Sequence, residues 1–365
     1  MKRTRKREAT GSVYFRAAFG MIVALFLLSA CGKTIPDKGQ KALSAAPETV
    51  TDSPEDNSMR VYFLDVGQGD CTLIFNGEHT MLIDAGDNAQ EVLVLEYLIG
   101  LDVERLDYLV LTHTDADHIG GADVVLTHFP VENVFIGDYP RDNNTYRDVL
   151  EAIEGQGISF STPPAGSTYP LGDAEFTIVG PNSRYDTSNN TSLVLLLEKG
   201  DNTFLFTGDA EREAEWDLVD SGVSLSADVY QVGHHGSVTS STEELLDTVK
   251  PRYAVVSCGM DNDYGYPHEE TLEKLAERDI TVYRTDEQSS ILAACDGKEI
   301  RFSSLPGLEQ FSSDVTYVCN IRSMKFHLPD CENVGQIYEH NRLDVCLTRE
   351  AVVAMGYEPC GGCRP

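Results

Sequence analysis

Between Leu109 and Gly121 four side chains able to bind a metal, His113, Asp115, Asp117 and His118, fall within six residues. They follow an apolar, β-like run and precede two glycines and a helical pattern. A strand ending in such a loop can turn imidazoles and carboxylates toward one point. That mixture of nitrogen and hard oxygen donors suits Zn²⁺ or Mn²⁺. The competing reading is a solvated acidic turn at a helix N-terminus, where Asp is common. Other segments weigh against it. Asp84 closes the run Leu82–Gly86, Asp209 closes Phe204–Asp209 after Thr207 and Gly208, and His268 follows Pro267. Taken singly these are ordinary turn chemistry, and Asp84 could simply bond backbone amides beside a site. His234 and His235, side by side between Gly233 and Gly236, are harder to explain that way.

The elements that must position these residues are short. Between 59 and 304 the chain alternates β-branched or aromatic runs with helical patterns. Val61–Leu64, Thr72–Phe75, Thr80–Ile83, Tyr108–Leu111, Leu193–Leu197, Phe204–Phe206 and Val229–Val232 read as strands. Glu91–Ile99, Gly121–Thr127, Tyr146–Ile153, Glu211–Val219, Thr242–Val249 and Glu269–Arg278 read as helices. The early strands form antiparallel hairpins and the later ones alternate with helices. This predicts an α/β fold in which helices cover the outer faces of packed sheets, and the length supports a full core.

The ordered set Asp84, His113, Asp115, Asp117, His118, Asp209 and His234–His235 resembles the metallo-β-lactamase fold over roughly residues 59–303. Within that superfamily Phe63–Asp70, Thr207–Asp209, Val232–Ser237 and Tyr283–Glu287 are similar to the branch containing the extracellular domain of the competence DNA-uptake protein ComEC. The resemblance implies an αββα sandwich with a two-metal site at one edge of the sheets. It assigns His113 and Asp115 to the first ion, Asp117 and His118 to the second, and Asp209 as a bridge. One of His234 and His235 completes the second ion's shell. The pattern is departed from twice: Asp115 stands where the superfamily usually has a histidine, and the histidine expected before Leu193 is replaced by Asn189 or Asn190. Asp115 makes the site harder and more tolerant of Mn²⁺. Two divalent ions lower the pKa of a shared water and clamp both oxygens of a phosphodiester displacement. Asp117 can also handle a proton, and His268 and the non-ligating member of the His pair, with His235 a candidate, can contact phosphate.

The N-terminus reads as an export signal. Lys2, Arg3, Arg5, Lys6 and Arg7 form a basic head, and Ala17–Ala30 is apolar but shorter than the ~20 residues of a spanning helix. Leu28, Ser29 and Ala30 before Cys31 resemble a bacterial lipobox, in which the cysteine is acylated. The expectation is a signal peptide over 1–30, a flexible linker over 31–58, and a mature protein with no transmembrane helix, held by lipid on the extracellular face of the cell membrane. Residues 1–30 carry six basic and one acidic side chain, so the remainder bears about −36 against −31 for the whole chain. That disfavours a broad electrostatic grip on nucleic acid, although divalent ions in a pocket would reverse the local potential.

Cys71, Cys258 and Cys295 lie in apolar, strand-like runs and read as buried thiols. Cys319, Cys331, Cys346, Cys360 and Cys363 crowd the tail and mark a second, small zinc-binding α+β domain over 312–365. His327 and Cys331, followed by Cys360 and Cys363 around two glycines, form a tetrahedral zinc pattern. About fifty residues need such a staple. The segment resembles the N-terminal zinc-binding domain of the Ada DNA-repair family. His327 stands at that motif's first cysteine, which implies a purely structural Zn²⁺. Cys319 and Cys346 fall outside the motif and could pair as a disulfide, which export permits. A disulfide-only tail is the alternative.

These readings predict two divalent ions in a hydrolase site and a phosphodiester substrate. The first functional expectation is a nuclease acting on extracellular DNA or RNA. The alternatives are a phosphodiesterase acting on envelope material such as teichoic-acid phosphocholine, and a non-catalytic binding module. β-Lactam hydrolysis is disfavoured by Asp115 and the missing histidine.

Overall fold

The computed structural model describes residues 58–305, 312–338, 341–354 and 356–365. The expected signal peptide, Cys31 and nearly all of the linker lie outside the described residues. Among the described residues no helix is long and apolar enough to cross a membrane.

Two sheets face each other. The first runs, in spatial order, Ile300–Ser304, Ile291–Cys295, Met59–Phe63, Thr72–Asn76, His79–Ile83, Leu106–Leu111, Val131–Ile136 and Phe160–Ser161. The second runs Thr281–Arg284, Tyr253–Val256, Val229–Gln231, Asn202–Phe206, Val194–Lys199, Ala174–Gly180 and Thr168–Leu171. Side-chain alternation explains the layering. Met59, Val61 and Phe63 join Leu195, Leu197, Phe204 and Phe206 in the core between the sheets. The residues between them point outward: Tyr62 packs with the helix Glu91–Gly100, while Leu196 and Leu205 pack with Arg212–Asp220 and Glu243–Val249. Strands covered on both faces read as unbroken apolar runs, and each fully buried Phe or Leu contributes about 1.5–3 kcal/mol.

The predicted helix Tyr146–Ile153 spans Asn144–Gly155, begun by Asn143, whose side chain accepts from the Tyr146 amide at 2.9 Å. Val131–Ile136 is a strand that the sequence pattern does not announce, because Glu132 and Asn133 interrupt its apolar residues. Its register against Leu106–Leu111 supplies the missing regularity.

A third sheet, ordered Arg342–Leu347, Ser312–Asn320, Lys325–His327 and Glu358–Pro359, lies at the C-terminal end. Its buried Tyr317, Phe326, Val345, Val352 and Tyr357 are continuous with the apolar cluster beneath the helices Glu91–Gly100 and Ala122–His128. The His128 ring is 3.0 Å from the Tyr357 hydroxyl across that contact. Cys319 is buried and free, which corrects the expected disulfide.

Candidate metal centre

The chemistry-bearing residues leave the C-terminal ends of parallel strands. His79–Ile83 pairs parallel with Leu106–Leu111, and Asn202–Phe206 with Val229–Gln231, which pairs parallel with Tyr253–Val256. Parallel neighbours finish on the same edge of their sheet. Asp84, His113, Asp209 and the His234–His235 turn therefore follow strand ends. Asp117 and His118 ride on the short helix Ala116–Ile119.

Ligand atoms of Asp117, His118, Asp209 and His235 all lie within 4.8 Å of one another. Asp209 faces two ways. Its Oδ1 is 3.2 Å from His118 Nε2 and 3.7 Å from His235 Nε2, while its Oδ2 is 3.8 Å from His113 Nε2 and 3.6 Å from His234 Nε2. His235 Nε2 also reaches Asp117 Oδ2 at 3.3 Å. The Nε2 atoms of His113, His118 and His235 and the Oδ1 of Asp209 are buried without a hydrogen-bond partner. Three orphaned imidazole nitrogens around a carboxylate whose own Oδ1 is orphaned are costly unless a cation satisfies them. The donor set fits divalent metal, with Asp209 offering one oxygen to each side.

Further contacts aim these ligands. The Asp84 carboxylate accepts from the Thr112 amide at 2.7 Å and hydroxyl at 2.8 Å, and lies 2.8 Å from His118 Nδ1. Asp84 is therefore an orienting group whose hold leaves His118 Nε2 free for metal. For His235 the same task falls to the Ser257 carbonyl, 3.0 Å from Nδ1, and to Asp70, 3.3 Å from it. Asp70 is fixed in turn by Gln231 Nε2 at 2.8 Å. Gly69 explains the close approach of that loop: its φ is +138°, and a Cβ there would collide with the Asp117 carbonyl. Asp84, His234 and His235 hold φ of 57°, 51° and 55°, a left-handed conformation that non-glycine residues adopt at a cost.

The expected ligands take different places around Asp209. Asp115 is ion-paired with Arg141 and is not a member of the Asp117–His118–Asp209–His235 group, although its charge acts on His113. His235 joins that cluster, whereas His234 flanks Asp209 Oδ2 beside His113. The segment lacking the expected histidine braces the Asp209 loop instead. Ser192 Oγ accepts from the Asp209 amide at 3.1 Å, and Asn190 Oδ1 from the Glu211 amide at 2.9 Å. His268 stands further out, its Nδ1 accepting from the Val238 amide at 3.1 Å and its ring edge-on to Tyr266. Asp70, Arg141, Ser192 and Tyr266 were not singled out by the sequence. Of these only Asp70 carried a signal, as the end of the Phe63–Asp70 motif.

Electrostatics follow from burial and proximity. Burial and the nearby His118 lower His113 to about 4, so its imidazole is neutral at physiological pH. Burial pushes Asp209 up, but His118 and His235 more than reverse this and hold it well below the usual carboxylate range. Asp117 behaves alike: burial raises it, and the His235 contact and His118 carry it below its ordinary value. A carboxylate so held is an anionic ligand and a weak proton acceptor.

In the third sheet, ligand atoms of His327, Cys331, Cys360 and Cys363 also lie within 4.8 Å of one another. The Cys360 amide donates to the Phe326 carbonyl at 2.9 Å, joining the two halves of the knuckle. Hydrogen bonds from the backbone of Cys363 and Gly362 lower the Cys360 thiol to about 6, which favours the thiolate that zinc requires. One histidine and three cysteines fit a closed tetrahedral zinc site.

Known proteins place this geometry. The chain is 31% identical over 280 residues to ComE operon protein 3 of Bacillus subtilis, covering 70% of this chain and 35% of that protein. It is 34% identical over 220 residues to Recombination protein 2 of Haemophilus influenzae, covering 58% and 26%. It is 33% identical over 247 residues to Competence protein ComA of Neisseria gonorrhoeae, covering 67% and 33%. The chain thus spans about a third or less of these relatives' lengths. Residues 64–260 match the Metallo-beta-lactamase superfamily as a family. With that match laid over the two-sheet sandwich and its Asp/His cluster, the chain belongs to the metallo-beta-lactamase superfamily.

Proposed function

We propose that this chain is a metal-dependent phosphodiesterase whose substrate is nucleic acid, DNA or RNA. The observation that carries the proposal is the two-sided Asp209, with orphaned imidazole nitrogens facing both of its oxygens. Asp117, His118, Asp209 and His235 would hold one ion, and Asp209 with His113 and His234 the other. Zn²⁺ or Mn²⁺ in such a place acidifies water and neutralises charge on a phosphodiester. The protein's own part is orientation. Asp84 and Asp70 set the two imidazoles, Ser192 sets Asp209, and Asp117, 30% exposed, is the cluster member open to substrate. The competence and recombination names of the relatives support nucleic acid as the ester. Acylation at Cys31 would place the activity on the extracellular face of the membrane, and His327, Cys331, Cys360 and Cys363 would hold a structural Zn²⁺.

The test is hydrolysis by the metal-loaded protein of plasmid, single-stranded oligonucleotides and bis(p-nitrophenyl) phosphate. Cleavage of nucleic acid is expected. Cleavage of the small ester alone would move the substrate to envelope phosphodiesters, and no cleavage would overturn the phosphodiesterase reading.

A further inference from the structure

The loop between Gly259 and His268 ends in a ladder of rings that leads from solvent to the metal centre. Tyr266 packs edge-on against His234, ring centroids 5.5 Å apart, with its hydroxyl 3.4 Å from His234 Nε2. It also lies 6.1 Å from the His235 ring. Tyr264 stacks on Tyr266 with centroids 5.3 Å apart and planes only 10° from parallel. Tyr264 is nonetheless 63% exposed, and Met260 in the same loop is 75% exposed. The loop is braced rather than loose. Asn262 Oδ1 accepts from the amides of Tyr264 and Tyr266, while its Nδ2 donates to the carbonyls of Gly259 and Tyr266. Holding an aromatic ring this exposed forgoes burial, which core packing alone does not account for.

We infer that Tyr264 is a stacking platform for an unpaired nucleobase of a single-stranded nucleic acid whose phosphodiester lies at the metal centre. This inference rests on the phosphodiesterase reading above and deepens it to a substrate class. A base laid on the outer face of Tyr264 continues a ladder that ends at His234 and His235. Stacking tolerates any sequence, because every base has a π face, and it needs no positive charge. That matters in a chain of net charge −31, whose surface gives the phosphates little help. Asp261 and Asp263 flank the platform, so the loop offers a base face while repelling the backbone. Duplex bases are stacked on one another and present faces only at the ends, so the platform selects single strands.

The experiment is titration of the metal-loaded full chain with a fluorescent phosphorothioate thymidine ten-mer, which resists hydrolysis. Tyr264→Ala should weaken binding by about 10-fold or more, and Tyr264→Trp should restore it. Trp216→Ala, at an exposed ring on the helix Arg212–Asp220 and outside the Gly259–His268 loop, should leave binding unchanged. A blunt duplex of the same length should bind more weakly than the single strand. Equal affinity for wild type and Tyr264→Ala, no binding by wild type, or no preference for single strands would each overturn the inference. Hydrolysis of bis(p-nitrophenyl) phosphate is read in parallel. Turnover with Tyr264-independent binding defeats the platform and leaves the phosphodiesterase. Tyr264-dependent binding without turnover does the reverse.

Discussion

Asp84→Asn separates an orienting carboxylate from a ligand or a merely structural one. Asp84 is fully buried, and its two oxygens serve three donors, the Thr112 amide and hydroxyl and His118 Nδ1. An asparagine has one acceptor oxygen and one NH₂ group, so either the Thr112 amide or the His118 Nδ1–H must face a donor. Leaving one such buried donor unpaired costs about 1–3 kcal/mol. If His118 changes tautomer to escape, the proton moves to Nε2 and blocks the atom aimed at Asp209. Asparagine also tolerates the left-handed backbone at this position, φ 57°, so the substitution adds no main-chain strain. Metal affinity should therefore fall about 10- to 100-fold, or roughly 1.4–2.7 kcal/mol, while the fold persists. Competition of the full chain against a chromogenic chelator reads this directly. An unchanged dissociation constant in a folded Asp84→Asn protein would refute the orienting role.

Burial, with Asp123 and Asp148 nearby, raises Glu91 from an ordinary 4.5 to about 7. The folded chain then holds a proton that the unfolded chain has released, so this group's contribution to stability falls as pH rises from 4.5 to 7. Glu91→Gln should stabilise by about 2 kcal/mol at pH 8 and by little at pH 4.5, read as melting temperature; an equal gain at both values would contradict the assignment. Cys360→Ser should remove one zinc per chain in native mass spectrometry and lower the melting temperature of the third sheet, because a closed zinc site supplies folding free energy. A full zinc complement in that variant would exclude the knuckle as the ligand set.

The ligands were more legible than what aims them. His113, Asp209 and His235 follow apolar runs next to glycines or a turn, and that local pattern survives in a linear sequence. Their supports are non-local. Asp70 meets His235 only because Met59–Phe63 and Val229–Gln231 belong to facing sheets, and Arg141 reaches Asp115 from a loop 26 residues away. The Arg141 pair is likewise invisible in a linear sequence, because a carboxylate's partner is decided by tertiary packing. In the tail, the zinc pattern was readable from spacing, whereas the shared core with the helices Glu91–Gly100 and Ala122–His128 was not. The notion of a small unit needing a staple underestimated the burial its neighbours provide.

The central claim is that a metal held around Asp209 makes this chain a phosphodiesterase. The most direct measurement strips the full chain of metal, restores Mn²⁺ or Zn²⁺ stepwise, and follows bis(p-nitrophenyl) phosphate turnover in wild type, Asp117→Ala and Asp209→Ala. Activity should rise with bound metal in the wild type and be nearly absent in both variants, because each removes a charged ligand from the same cluster. Turnover that ignores added metal, or that survives Asp117→Ala and Asp209→Ala unchanged, would contradict the account.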